Sequence, residues 1–259
     1  MSLKLDKKRI LVTRPKHQAN HLCEIITANG GEAIAYPTIE IQPVKVPDRI
    51  LVKGSVFSEF DFIVFVSRNA VKMAFDNYLS VADLPAHIKL FAIGAGTAEM
   101  LASLNIMNVI HAGVQADSEA LLCLPEMQQE TISDKKVLII RGVGGREYLA
   151  DNLTKRGASV DYAEVYKRCL PEYDVKDRHK IWQDIRPDAI VVTSNDGLNN
   201  LVHLTAEIDQ PQLFTTPLVL MSARSDNLAK ELGFVSVTGI AVDKNDEGLL
   251  SALLDLLGE

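Results

Sequence analysis

Short apolar runs and stretches with helical spacing alternate along the whole chain. The runs FIVFV at 62–66 and AIVV at 189–192 are apolar at every position, which is typical of strands that are buried on both faces. Strands of this kind that alternate with helices predict an α/β fold, in which parallel strands are joined by helical crossovers. The predicted strands are 9–13, 32–36, 61–67, 89–93, 107–111, 136–141, 159–165, 188–194, 217–221 and 234–238.

Three of the predicted helices have recognisable ends. A helix over 17–29 ends at Gly30 and a helix over 145–156 ends at Gly157, because glycine readily adopts the left-handed backbone that closes a helix. The last helix, 246–257, has acidic residues in its first turn, where the helix dipole favours negative charge.

The second half of the sequence resembles the first half in the same order. Arg14 aligns with Arg141 and Ser67 aligns with Ser194, and both pairs are 127 positions apart (141 − 14 and 194 − 67). A repeat of this length predicts two similar domains of about five strands each, rather than a solenoid of short units.

Two extended segments interrupt the alternation of strands and helices. They are 38–47 and 163–173, and each of them carries proline, so we expect both to be interdomain linkers. If the chain crosses between domains at both, the domains are 1–37 plus 172–259 and 40–168. A single boundary in the QQETISDKK segment, between two contiguous domains, fits the sequence equally well.

Composition excludes several classes of protein. Of the 259 residues 47% are hydrophobic and 24% are charged, as in an ordinary globular protein. Cys23, Cys123 and Cys169 are far apart and have no histidine at metal-ligand spacing, so neither a disulfide framework nor a metal site is expected. The net charge is −7 with scattered Lys and Arg, which argues against nucleic acid as a partner. Without a signal peptide or a run of roughly 20 apolar residues, a cytoplasmic protein with no membrane partner is expected.

Small and polar residues follow most of the predicted strands. Free N–H groups at helix starts, together with hydroxyl and amide donors, suit an anionic ligand beyond the carboxyl ends of parallel strands. Helix capping is the alternative explanation for each single residue, because Ser, Thr, Asn and Asp commonly cap helices. The residues concerned are Thr13-Arg14, Ser67-Arg68-Asn69, Gly94–Thr97, Arg141–Arg146, Thr193-Ser194-Asn195 and Ser222–Ser225.

Tyr166 lies in the second predicted linker, beside Lys167 and Arg168. The pKa of a phenol is about 10, so Tyr166 is protonated at neutral pH and can donate a proton or a hydrogen bond. Packing between the two domains is an equally good explanation for this aromatic residue.

The glycine-bearing loops 94–98 and 142–147 do not match a dinucleotide-binding fingerprint. The first lacks the third glycine, and neither has a suitable acidic residue after the following strand, so no nicotinamide cofactor is expected. A two-lobed binding protein for a small polyanionic ligand is a further possibility, because it would use the same donors at helix starts.

Six motifs occur in the order seen in the uroporphyrinogen-III synthase family, and the resemblance spans essentially the whole chain. They are VTRP, SRN, GAGTAE, RGVGGRE, EVYKR and TSNDG. The resemblance implies two flavodoxin-like parallel-sheet domains joined by a two-stranded linker, with both terminal segments in one domain. It also implies that the substrate is hydroxymethylbilane, a linear tetrapyrrole polycarboxylate, which is closed to uroporphyrinogen III with inversion of the last ring through a spiro intermediate.

The resemblance implies roles for individual residues. Tyr166 would assist departure of the substrate hydroxyl. The implied substrate-binding residues are Arg14, Ser67, Asn69, Thr97, Arg141, Gly142, Arg146, Ser194, Asn195, Ser222 and Ser225. The chain departs from the family pattern at Ser222–Ser225, where the family has a glycine-led loop ending in two threonines. No cofactor and no metal are implied, and we expect a monomer that receives its substrate from hydroxymethylbilane synthase.

Overall fold

The computed structural model describes residues 5–46, 59–113 and 117–258, which form two sheets with helices packed against them. The strands of this described part are β1 (Arg9–Val12), β2 (Glu32–Ala35), β3 (Glu40–Pro43), β4 (Phe62–Phe65), β5 (Lys89–Ala92), β6 (Val109–His111), β7 (Lys136–Gly142), β8 (Ser159–Cys169), β9 (Ala189–Val192), β10 (Leu218–Leu220) and β11 (Thr238–Ile240). Its α-helices are α1 (Lys16–Ala28), α2 (Arg68–Asn77), α3 (Ala95–Ala102), α4 (Ser118–Leu122), α5 (Gln129–Ile132), α6 (Tyr148–Lys155), α7 (Val175–Lys180), α8 (Asn195–Leu204), α9 (Gln210–Thr215), α10 (Ala223–Glu231) and α11 (Asp246–Leu257).

The first sheet has five strands in the order β11-β10-β9-β1-β2, and all of its neighbouring pairs are parallel. Its central strand β1 is buried on both faces. Ile10 and Val12 belong to one apolar cluster and Leu11 to another, because successive side chains of a strand point to opposite faces. The apolar residues of β1 therefore support a helical layer on each side of the sheet.

The second sheet has six strands in the order β3-β8-β7-β4-β5-β6. The pairs from β8 to β6 are parallel. Strand β4 again alternates, since Ile63 and Phe65 face one buried cluster while Phe62 and Val64 face another. The α/β class with two mostly parallel sheets is therefore confirmed. Within each sheet, the carboxyl ends of the parallel strands lie at the same edge of that sheet.

The chain divides into two compact units, Met1–Glu40 plus Cys169–Glu259, and Ile41–Arg168. Both division points lie in the predicted linkers, and the QQETISDKK segment lies inside the second unit. Pro47, the last residue of the first predicted linker, lies outside the described residues. The predicted domain limits, 1–37 plus 172–259 and 40–168, remain a prediction.

The two linker segments contribute to the second sheet. Strand β3 is formed within the first predicted linker, and its neighbour is β8, which extends through most of the second. Beyond β3, the Val44 N–H donates to the Val165 carbonyl at 3.2 Å. The expected count of five strands per domain is therefore exceeded by one in this sheet.

The strand predicted at 234–238 was wrong in its position. Gly233 has a φ of +103° and Phe234 donates its N–H back to Ala229, so these residues close helix α10. Phe234 then packs edge-on against Phe214, with ring centroids 5.2 Å apart. The strand begins only at Thr238. Among the residues that the structure describes, no helix is long and apolar enough to span a membrane.

Candidate active site

A pocket of about 440 Å³ lies in the second unit, at the carboxyl ends of β4, β5 and β7. Its wall is formed by Ser67 after β4, Ile93 after β5, and the loop 142–146 after β7. Tyr166 and Arg168 of β8 also line it, together with Arg141 of β7 and with Asp117 and Ser118 at the start of α4. The pocket therefore occupies the position where parallel α/β sheets usually bind ligands.

Tyr166 is brought to this pocket by a β-bulge. Arg141 pairs with Glu164 and the next residue, Gly142, pairs with Tyr166, so Val165 is an extra residue in β8. A bulge of this kind re-aims the side chain that follows it. The Val143 N–H donates to the Tyr166 carbonyl at 2.8 Å, which fixes the backbone beyond the bulge.

The Tyr166 ring lies directly against Gly142. A Cβ atom added to Gly142 would come within 2.6 Å of Tyr166 Cζ, which is closer than any real contact. Tyr166 as a whole is only 3% exposed. Position 142 therefore requires a residue without a side chain. The Tyr166 ring has little freedom to move.

The Tyr166 hydroxyl is 3.2 Å from Ser67 Oγ. Ser67 is the N-cap of helix α2, and its Oγ accepts the Ala70 N–H at 3.0 Å. The serine hydroxyl can still donate its own proton to the phenol oxygen or accept the phenol proton. A phenolate at this position would also face the positive end of a ten-residue helix.

Arg141 is almost fully buried and is engaged by groups of the protein itself. Its guanidinium pairs with Glu147 at 2.8 Å and with Glu164 at 3.1 Å. The guanidinium carbon lies 3.6 Å from the centre of the Tyr162 ring, and the Tyr162 hydroxyl donates to Glu147. The pKa of the Glu147 carboxyl is lowered, first by the Tyr162 hydrogen bond and then by the one from Arg141.

Arg146 has a different environment from Arg141. It lines the pocket and is exposed, and no described residue pairs with its guanidinium. It is therefore a cation of the pocket wall that is available to an anionic ligand. Arg168, which was not in the predicted set, also lines the pocket.

Asn69 and Thr97 are buried at the starts of two neighbouring helices, α2 and α3. Arg68 bridges the two, since its Nε donates to the Gly96 carbonyl at 2.9 Å. Neither Asn69 nor Thr97 is among the residues that line the described pocket. Their place in substrate binding stays a prediction.

In the first unit, the polar residues after β9 and β10 form one hydrogen-bonded chain. Ser194 caps α8 and Ser222 caps α10. Ser225 Oγ lies 3.0 Å from Ser222 Oγ and donates to Asn195 Oδ1 at 2.9 Å. The chain therefore connects two helix starts, and the Ser225 hydroxyl is already used within it.

Arg14, also in the first unit, is paired with Asp246 at the start of helix α11. Asp246 also contacts His21 Nδ1 at 2.9 Å, and this hydrogen bond raises the pKa of His21. Arg14 Nε is buried without a partner among the described residues. A role for Arg14 as a carboxylate ligand stays a prediction.

The sequence indicated the loop and Tyr166 but not the contacts of Arg141. Glu147 was visible as the last residue of the RGVGGRE motif, and Tyr162 stands four residues before Tyr166, yet nothing in their spacing indicates that they meet. Within the described residues, no group of three or more His, Cys, Asp or Glu side chains is arranged to hold a metal ion.

Comparison with known proteins identifies the family. The family model described as "Uroporphyrinogen-III synthase HemD" matches residues 20–250. The chain is 34% identical over 247 residues to uroporphyrinogen-III synthase of Escherichia coli (strain K12), covering 94% of this chain and 99% of that one.

Solved structures agree in fold. A uroporphyrinogen-III synthetase from Helicobacter pylori 26695 matches with a TM-score of 0.62 at 16% identity, covering 96% of this chain and 99% of that one. A mutant uroporphyrinogen III synthase from the extremely thermophilic bacterium Thermus thermophilus matches with a TM-score of 0.58 at 14% identity, covering 96% and 98%. The alternative of a two-lobed binding protein is not favoured by these relatives. The chain belongs to the uroporphyrinogen-III synthase family.

Proposed function

We propose that this chain closes hydroxymethylbilane to uroporphyrinogen III, with inversion of the last ring, and that Tyr166 is the acid that starts the reaction. The observation that carries the proposal is the Tyr166 phenol in the pocket of the second unit, backed by Gly142 and 3.2 Å from Ser67 Oγ. Membership of the family supports the overall reaction, and the geometry supports the assignment of Tyr166.

The first step is loss of water from the hydroxymethyl end of the substrate. The phenol proton passes to the departing hydroxyl, the C–O bond breaks, and the pyrrole nitrogen lone pair stabilises the cation that remains as the protonated azafulvene (azafulvenium). Ser67 and the start of helix α2 stabilise the phenolate that remains. The substituted position of the last ring, an electron-rich pyrrole carbon, then attacks the methylene carbon of the azafulvenium to give the spiro intermediate. Fragmentation and recombination of that intermediate invert the ring and close the macrocycle.

Orientation of the last ring decides between the two products. Attack at the unsubstituted position would close the ring without inversion, so the protein must hold the substrate through its carboxylates. Arg146 is an exposed cation of the same pocket and suits this task. The hydroxyls and helix starts around Ser194 and Ser222 are proposed as further carboxylate contacts in the first unit.

The test is incubation of the purified protein with freshly generated hydroxymethylbilane, followed by separation of the type I and type III isomers. We expect type III in large excess over the type I that forms without enzyme. A mixture identical to that in buffer alone would reject the proposed activity.

Three statements about the working protein belong to the same proposal. It acts as a monomer, it works in the cytoplasm, and it receives its unstable substrate from hydroxymethylbilane synthase. Capture of free substrate by a large excess of the slow Tyr166→Phe variant, added to a coupled reaction, distinguishes direct hand-over from free diffusion. Hand-over predicts that the excess variant leaves the initial rate of type III formation unchanged, whereas free diffusion predicts that the rate falls towards that of the variant alone.

A further inference from the structure

All five N–H groups of Arg141 are used inside the protein. Nε donates to Glu164 at 3.2 Å, and Nη2 donates to Glu147 at 2.8 Å and to Glu164 at 3.1 Å. Nη1 donates to the carbonyls of Gly145 at 3.3 Å and Arg146 at 3.5 Å. A guanidinium offers five donors in a fixed plane, so nothing is left for a substrate carboxylate.

Charge gives a second argument against Arg141 as a ligand. One arginine and the two glutamates that it contacts carry a formal charge of −1 together. This net negative charge would repel a carboxylate of the substrate. To bind Arg141, the carboxylate would also have to displace one of its hydrogen-bonded partners, and only 7% of Arg141 is exposed. The stacked Tyr162 ring covers one face of the guanidinium.

The contacts of Arg141 converge on the loop 142–147. Two of its bonds hold the carbonyls of Gly145 and Arg146, and a third holds Glu147 at the start of helix α6. The same loop begins with Gly142, against which the Tyr166 ring lies, and it carries the exposed Arg146. Movement of the loop would therefore displace two functional groups at once.

We propose that Arg141, Glu147, Tyr162 and Glu164 form a clamp that positions the loop 142–147, and that Arg141 is a positioning residue rather than a ligand of the substrate. The clamp presents Arg146 to a substrate carboxylate and keeps Gly142 behind the Tyr166 ring. This inference rests on the proposed function, because it assigns the clamp to that reaction.

The variant that separates the two roles of Arg141 is Glu147→Ala. If Arg141 binds substrate, loss of Glu147 frees a donor and removes a negative charge, so KM should fall or stay unchanged. If Arg141 positions the loop, KM should rise about tenfold and the proportion of type III should fall. Glu147→Gln, which keeps a hydrogen-bonding group, should lie between Glu147→Ala and the unchanged protein.

Asp151→Ala is the matched control. Asp151 stands in the first turn of the same helix and its loss changes the charge by the same amount, yet it makes no hydrogen bond to Arg141 among the described residues. We expect its KM and its isomer ratio to equal those of the unchanged protein.

Trypsin gives a readout that needs no substrate. Cleavage after Arg146 requires the loop to leave the clamp, because the Arg146 carbonyl is held by Arg141. Mass spectrometry of the native protein should show this cut at least fivefold faster in Glu147→Ala than in Asp151→Ala, with cuts at other sites unchanged.

The outcomes are distinguishable. If the unchanged protein makes no excess of type III, the proposed function fails whatever the cleavage rates are. If the unchanged protein is active but Glu147→Ala matches Asp151→Ala in KM and isomer ratio, the positioning role is overturned, even where cleavage after Arg146 is faster. Equal cleavage rates would overturn the clamp itself.

Discussion

At the scale of single residues, Tyr166 has its ring, its hydroxyl and its backbone fixed by three different neighbours. Gly142 lies against the ring, Ser67 is within hydrogen-bond distance of the hydroxyl, and Val143 donates to the carbonyl. A residue held in this way is suited to delivering a proton at a fixed place, because little reorganisation is needed during the reaction.

Tyr166→Phe should lower turnover more than any other single polar substitution in the pocket. Loss of a general acid typically costs on the order of a hundredfold or more in rate, and the remaining positioning contacts should preserve residual turnover. Initial rates of type III formation measure this effect. Tyr148→Phe, which changes an exposed tyrosine, is the control and should keep the full rate. Unchanged turnover in Tyr166→Phe would remove this residue from the proton transfer.

Gly142→Ala should displace the Tyr166 ring. The added Cβ would lie 2.6 Å from Cζ, so the ring must move, and overpacking of this kind costs about 1–3 kcal/mol of unfolding free energy. We expect a matching loss of turnover, measured beside urea unfolding. Gly113→Ala is the control, because φ there is +86°, no atom lies within 4 Å of the added carbon, and Gly113 is not among the residues that line the described pocket. It should cost stability through backbone strain while keeping most of the turnover.

At the scale of secondary-structure elements, five of the described α-helices begin in the same way. A Ser, Asp or Asn side chain accepts the N–H three residues ahead of it. Of the polar residues that follow the strands, Ser67, Ser194 and Ser222 are such caps, so the capping explanation applies to these three. Ser67 differs because its capping oxygen also lies beside the phenol of Tyr166.

Ser67→Ala should therefore reduce both stability and turnover. The lost cap costs about 1 kcal/mol of unfolding free energy, and the phenol loses its hydrogen-bonding neighbour. Asn245→Ala removes an equivalent cap at a helix that is far from Tyr166 in sequence. There the Gly248 N–H donates to Asn245 Oδ1 at 2.8 Å. It should lower stability by a similar amount and leave turnover unchanged. Equal turnover in both variants would mean that Ser67 serves only as a cap.

At the scale of the whole molecule, two sheets imply two cooperative units. Strands β1 and β2 share a sheet with β9, β10 and β11, although more than a hundred residues separate them in sequence. We predict that these five strands lose hydrogen-exchange protection together as urea is raised, and that β4 to β7 lose theirs together.

Mass spectrometry of exchanged peptides makes this measurement. Joint loss of protection by 9–12 and 189–192 supports the discontinuous folding unit. If 9–12 instead opened together with 62–65, the single boundary in the QQETISDKK segment would describe the folding units better.

Stability should decline at alkaline pH because several tyrosines are buried in their neutral form. Burial is the first cause that raises the pKa of Tyr162 and of Tyr173 to about 12, and it raises the pKa of Tyr36 as well. A raised pKa favours the protonated form in the folded state. The stability that it contributes is therefore complete below about pH 10 and is lost as the pH rises through about 12.

Absorbance at 295 nm, recorded beside urea unfolding at several pH values, tests this decline. Tyr173→Phe removes one of the tyrosines with a raised pKa, so it should reduce the loss of unfolding free energy at alkaline pH. Ionisation of every tyrosine in a single step near pH 10 would contradict the prediction.

The sequence alone determined the α/β class, most strands, the ends of the final helix and the family. These follow from local signals, since apolar runs, capping residues and ordered motifs are read along the chain. It did not place the strand at Thr238, because Phe234 donates its N–H back to Ala229 in the closure of a helix and Val235 donates its N–H to the Phe214 carbonyl.

Only the tertiary structure decided which polar residues face the pocket and which serve the fold. Arg141 and Arg146 are five residues apart and both line the pocket, but the guanidinium of Arg141 is enclosed by two glutamates and a tyrosine while Arg146 is exposed. The bulge at Val165 decides where Tyr166 points, and it depends on the register between β7 and β8. Such differences arise from contacts between segments distant in sequence, which no local pattern of residue types specifies.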